Sequence, residues 1–143
     1  MKRVIDPADP IDLIAQAMQR WHGMVAARDM SQLPELLAPD VVFRSPFVFT
    51  PYLGAAKTHA LLSTVIEVFT NFLYHRSYRD ASSVVLEFSA DIGDKSCKGV
   101  DIISFDVQGR IVEFEVLIRP ASALNALSQQ MGERLAAHGS SPT

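Results

Sequence analysis

Residues 99–120, Gly-Val-Asp-Ile-Ile-Ser-Phe-Asp-Val-Gln-Gly-Arg-Ile-Val-Glu-Phe-Glu-Val-Leu-Ile-Arg-Pro, constrain the fold more than any other stretch. They read as two β-strands joined by a tight turn at Gln108-Gly109. On the second strand Val112, Phe114, Val116 and Ile118 alternate with Glu113, Glu115, Leu117 and Arg119, the pattern of an antiparallel strand with one face buried. On the first strand Gly99, Asp101, Ile103 and Phe105 share a face, so a carboxylate has to be placed. Loop parity decides where. An even loop puts Asp101 on the face of Phe114, Val116 and Ile118, whereas a three-residue loop with a bulge sets it opposite Glu115. Like charges directly across a ladder repel, which favours the inward placement.

The rest of the chain supplies what such a hairpin packs against. Asp9, Pro10 and Asp12 mark a helix start, and Ile14, Met18, Trp21 and Val25 carry an apolar stripe toward Arg28. Ser31 and Pro34 suit a short second helix ending near Ala38-Pro39, followed by a short strand over residues 40–44. Residues 45–54 form a loop, with two internal prolines and with Phe47, Phe49 and Tyr52 as aromatics that call for a hollow or another subunit to cover. A broad apolar face on residues 55–71 predicts a third helix, residues 73–81 and 84–91 predict strands, and Leu124, Leu127, Met131 and Leu135 predict a last helix from Pro120 to Gly139. The tail, residues 140–143, reads as loose. The plan is a single α+β domain spanning residues 1–143: helices on the concave face of a cone-shaped, curved antiparallel sheet, leaving an interior open to one side.

Composition narrows the function. A chain of 143 residues with 48% hydrophobic content supports one core, and a net charge of -3 without Lys/Arg clusters argues against a nucleic-acid or anionic-membrane surface. No run is long enough for a membrane span and Asp6 and Asp9 interrupt any secretory pattern, so a cytoplasmic protein is expected. The single cysteine, Cys97, rules out an intrachain disulfide. His22, His59, His75 and His138 lack paired spacing, so no metal and no cofactor is expected, and only His59 lies where a pocket mouth would be. Arg44, Arg76 and Arg79 with Tyr74 and Tyr78 read as sheet-surface or subunit-interface residues.

Arg28-Asp29, residues 36–43 (Leu-Leu-Ala-Pro-Asp-Val-Val-Phe), the Gly54 helix start and residues 99–111 together resemble the SnoaL-like branch of the nuclear transport factor 2 superfamily, which includes ketosteroid isomerases and polyketide cyclases. The resemblance covers about residues 11–120 and implies a cystatin-like fold. It places an inward acid at Asp101, in agreement with the even-loop reading. The isomerase's general base falls on Ser45 and its oxyanion-hole tyrosine on Trp21; a serine does not take a proton as a carboxylate does, and an indole only donates. The two-sided isomerase chemistry is therefore not supported, and Asp101 alone survives.

Among apolar neighbours Asp101 should have a raised pKa, able as a neutral acid to donate to a ligand carbonyl; the competing reading is a structural acid satisfied by Trp21, Ser45 or water. A Trp21–Asp101 hydrogen bond is one form of that structural reading, and it fails if the two side chains lie on opposite faces of the sheet. Ser45 has no nucleophile elbow around it. Two functions follow. One is an enzyme or binding protein for a small lipophilic ligand, with isomerase, cyclase or hydratase chemistry at Asp101 and walls from Trp21, Ser45, Phe47, Phe49, Leu62, Phe88, Ile103, Phe114, Val116 and Ile118. The other is a non-catalytic ligand-binding or interaction module. Leu117 among glutamates and the apolar last helix suit a homodimer in either case.

Overall fold

The computed structural model describes residues 11–138. Helix α1 (Leu13–Ala27) is capped by Asp12, whose carboxylate accepts from the Ala15 amide at 3.0 Å. The start is therefore set by Asp12, while the Asp9 and Pro10 signals, and the Gly139 stop and tail, lie outside the described residues. Arg79 fastens this end by donating twice to the same carboxylate, at 2.8 and 2.9 Å. A single 3-10 turn (Leu33–Glu35) takes the place of the expected second helix. Strand β1 (Leu37–Arg44), the two-residue β2 (Tyr52–Leu53), α2 (Ala55–Val68), β3 (Thr70–Arg79), β4 (Ser83–Ile92), β5 (Lys95–Phe105), β6 (Ile111–Arg119) and α3 (Ala121–Ala137) complete the α+β chain.

The six strands form one sheet in the order β2-β1-β6-β5-β4-β3. The last four are an antiparallel meander, but β1 runs parallel to β6, so the sheet is mixed and the expectation of a wholly antiparallel one is corrected. The cause is connectivity: β1 and its short antiparallel partner β2 lead into α2, and on its other side β1 lies against β6, some seventy residues further along the chain.

Asp101 lies opposite Val116, Gly99 opposite Ile118 and Ile103 opposite Phe114, the register that puts the carboxyl inside. The turn itself is longer than Gln108-Gly109. Five residues, 106–110, separate the pair Phe105–Ile111, an odd loop that alone would turn Asp101 outward. A bulge between Ser104 and Phe105, with Val112 as the extra residue, restores the parity. The turn is held by Asp106, whose Oδ1 accepts from the Gln108 and Arg110 amides at 2.9 Å while Oδ2 takes the Arg110 guanidinium at 3.0 Å, and Gly109 supplies the positive φ of 78° that the bend requires.

One glycine shapes the interior. A Cβ on Gly99 would lie 2.6 Å from Cζ of Phe88 and would also strike the Leu117 carbonyl, so its absence lets the Phe88 ring lie flat across β5. Phe88 in turn stacks on Phe72, 5.0 Å between centroids, and Phe114 meets Trp21 of α1 at 5.1 Å and Phe43 of β1 at 6.0 Å. These rings join sheet and helices in one core on the inner face.

Candidate active site

The inner face and all three helices enclose a hollow. Counting its opening and the crevices between side chains, its empty space is about 730 Å³, but only about 60 Å³ is wide enough for the centre of a water molecule to move through. The wall is almost wholly apolar. Leu61, Leu62, Val65 and Ile66 come from α2, and Leu127, Met131 and Leu135 from α3.

Among the described residues, Asp101 is the only charged side chain on that wall. It is 6% exposed, and loss of water raises its pKa from 3.8 to about 7, against the opposing pull of a hydrogen bond from Tyr74. That bond, Tyr74 Oη to Asp101 Oδ2, is 2.7 Å long. Tyr74 Oη also accepts from Trp21 Nε1 at 2.9 Å. The Trp21–Asp101 contact expected from the sequence is thus made through an intervening phenol. Burial first, and then the neighbouring carboxyl, pushes the Tyr74 pKa well above its usual value, so the phenol stays protonated.

The direction of this chain is fixed by its first member. An indole N–H can only donate, so Tyr74 must accept from it and spend its single proton on Asp101. No other hydrogen bond to the Asp101 carboxyl is found among the described residues, and no fully enclosed side-chain nitrogen or oxygen there lacks a partner. Oδ1 therefore retains access to the hollow. When neutral, Asp101 presents a proton there; when ionised, it presents a base.

Of the expected wall residues, Trp21, Ser45, Phe47, Leu62, Phe114, Val116 and Ile118 line the hollow with Asp101. Three do not. Phe49 is 97% exposed in the loop that joins β1 to β2, and of the loop's aromatics only Phe47 reaches the hollow, with Tyr52 of β2. Phe88 and Ile103 are fully buried one layer behind, where Phe88 backs Phe72. Ser45 lies at the wall, but its Oγ accepts from the Phe47 and Val48 amides, each at 3.3 Å, and so acts as a turn brace. His59 binds the Met30 carbonyl at 2.9 Å and holds the segment after α1 against α2.

Tyr74 is the residue that sequence reasoning misplaced. Its strand carries Phe72 and Tyr74 on one parity and Leu73 on the other, and register shifts between Thr70 and Leu73 and between Tyr74 and Ser77 break the alternation. Leu73 proves 61% exposed. The usable signal was Trp21 itself, since a buried indole N–H needs an acceptor and a carboxyl is not the only one available.

The SnoaL-like domain model matches residues 18–114. A crystal structure described as a steroid delta-isomerase from Pseudomonas aeruginosa is 51% identical over 90% of this chain and 96% of that one, with a TM-score of 0.87. A protein with a cystatin-like fold from Silicibacter pomeroyi is 33% identical over 84% of this chain and 85% of that one, at a TM-score of 0.80. An NTF2-like protein from Mesorhizobium loti, 21% identical over 78% of this chain and 98% of that one at a TM-score of 0.69, shares the fold. No curated protein matches. A family match over more than half the chain, joined to relatives of the same shape, shows that this chain belongs to the SnoaL-like domain family.

Proposed function

We propose that the hollow binds a small lipophilic carbonyl compound and that Asp101 acts on it as acid or base, in isomerase, cyclase or hydratase chemistry. The observation that carries this reading is the one-way chain Trp21–Tyr74–Asp101 ending at a carboxyl oxygen in an otherwise apolar cavity. A carboxyl that titrates near neutrality, at about 7, serves either as proton donor or as acceptor at ordinary pH. In the neutral form it polarises a ligand carbonyl, and the two bonds behind it strengthen its donation. In the ionised form it removes a proton beside that carbonyl and can return the same proton elsewhere on the ligand. Among the described residues no second carboxylate lines the wall, and the Ser45 hydroxyl is committed to its loop, so a mechanism with a separate base opposite Asp101 has no described residue to carry it.

Thermal-shift titration with ketones and with hydrocarbons of matching shape tests the reading. Ketones should raise the melting temperature more than hydrocarbons do below pH 7, and the excess should shrink above it as Asp101 loses its proton. Asp101→Asn keeps a neutral donor at this position and loses proton transfer. The ketone preference should then persist without pH dependence while turnover disappears. Equal shifts from ketones and hydrocarbons in the unaltered protein would remove the carbonyl from the proposal.

A second reading, a homodimer joined through the outer face of the sheet, is favoured by Leu73 and Leu117, which are 61% and 48% exposed on that face. Val100 lies between Glu87 and Leu117 in the ladder and extends the patch. Light scattering on the wild type and on Leu117→Lys tests it: a dimer that the lysine converts to monomer supports the outer-face contact, and a monomeric wild type removes it.

A further inference from the structure

The outer face of the sheet carries a charge pattern that selects one way for two copies of the chain to meet. Beyond the bulge at Val112, β6 alternates without interruption, so Glu113, Glu115, Leu117 and Arg119 all stand on the outer face. Their ladder neighbours on β5 are Ser104, Ile102, Val100 and Lys98, in that order. This face thus runs from an acidic end, Glu113 and Glu115, over the apolar row of Leu117 and Val100, to a basic end, Arg119 and Lys98. Two of these charges are already matched within the chain: Glu113 takes the Arg44 guanidinium at 3.0 Å, and Lys98 lies 3.5 Å from Glu87. Arg44 is also the ladder neighbour of Glu115, but its hydrogen bond goes to Glu113. Among the described residues, Glu115 and Arg119 have no side-chain hydrogen bond or ion pair, and Leu117 between them is 48% exposed.

Two sheets that pack face to face about a two-fold axis have that axis in the plane of the contact, and it runs either along the strands or across them. With the axis along β6 and the apolar row shared, position along the strand is kept. Glu115 then faces Glu115 or Ile102, and Arg119 faces Arg119 or Lys98, so cations meet cations and the basic end repels. With the axis across β6 at Leu117, the second β6 runs the opposite way. Leu117 and Val100 still meet their own copies, while Glu115 of each copy meets Arg119 of the other. Glu87 lies in the same row as Val100, but Arg76 and Lys98 flank it, so it comes to the contact already neutralised.

We infer that two copies of this chain pair through the outer face about a two-fold axis crossing β6 at Leu117, with Glu115 of each copy against Arg119 of the other. The inference rests on the outer-face dimer reading and adds the symmetry and the pairing residues of that contact.

Sedimentation equilibrium on the full chain tests it, comparing the wild type with Glu115→Arg, Arg119→Glu and the double exchange of both. The wild type should dimerise, and molar salt should weaken the dimer. Each single reversal turns two attractive pairs into two repulsive ones and should raise the dissociation constant by roughly tenfold or more. The double exchange restores both pairs with their signs swapped and should return the constant close to the wild-type value. With the axis along the strands, a single reversal would only exchange one like-charged pair for another. Single reversals without effect therefore overturn the assigned axis, and so does a double exchange that stays as weak as the single variants. If Leu117→Lys separates the copies while the charge variants do not, the outer-face contact stands and this axis falls. A monomeric wild type removes both.

Discussion

Asp101 and Glu87 sit on neighbouring strands of the same sheet, within one residue of facing each other in the ladder, and their acidities move in opposite directions. Glu87 points outward, where the Arg76 guanidinium and then Lys98 hold its carboxyl down at about 2. Asp101, opposite Leu86, points inward, where removal of water lifts it to about 7 although it too accepts a strong hydrogen bond. Both acids have a hydrogen-bonding partner. The difference lies in what surrounds it: a guanidinium in water supplies charge, whereas a phenol in an apolar cavity supplies only a dipole and leaves desolvation dominant.

The largest expected effect tests the two faces themselves. Phe114→Ala, on the inner face, should cost about 3–5 kcal/mol in urea unfolding, while Leu117→Ala, three residues on and facing outward, should cost less than about 1 kcal/mol. Similar losses at the two positions would mean that the outer face is as buried as the inner. Next comes the pH profile. A raised acid binds its proton more tightly when folded, so its contribution is full below the unfolded carboxylate value of 3.8 and is lost as pH rises through about 7. Asp101→Asn should therefore gain up to about 4 kcal/mol over the wild type at pH 8 and nothing at pH 3.5, measured by denaturant unfolding at both values. The reverse difference would put the carboxylate in contact with water or a cation.

Tyr74→Phe should cost about 1–3 kcal/mol, because it leaves the Trp21 N–H without its acceptor, and it should move Asp101 upward from about 7, since the phenol is the one influence holding it down. Carbon-13 titration of the aspartate carboxyls reads this directly, and a downward move would reverse the assigned role of the phenol. The smallest effect belongs to Glu87→Gln. A depressed acid contributes stability above its unfolded value and loses it as pH falls toward about 2, but this pair lies at the surface, so the loss should be slight and should vanish in high salt. A loss that persists in molar salt would contradict the solvated description.

The same contrast explains what the sequence could disclose. Asp101 was legible because its strand and the next alternate cleanly and because Glu115 makes the outward register unfavourable. The conclusion held although the turn is an odd loop, since the bulge at Ser104 and Phe105 cancels it. Trp21, Leu62, Phe114, Val116 and Ile118 were legible for the same reason, as alternation and helical spacing fix a face, whereas Ser45 and Phe47 reach the wall from a loop. Tyr74 was not, because two register shifts in β3 hide the parity of an aromatic-rich strand. Phe49 misled because a loop has no period, so nothing in its sequence separates a ring that turns inward from one that does not. The parallel seating of β1 was equally hidden, because alternation fixes which face of a strand is buried but not which strand it pairs with or in which direction.

That parallel seating divides the domain into parts of unequal permanence. Strands β3 to β6 form a continuous antiparallel meander, whereas β1, beyond its two-residue pairing with β2, is held to β6 across some seventy positions of chain, with its register interrupted between Leu37 and Val42. Amides of β1 should accordingly exchange with deuterium sooner than those of β4 and β5. Phe43 rides on β1 and belongs to the lining of the hollow, so each transient release of this strand exposes the interior without unfolding the meander that carries Asp101.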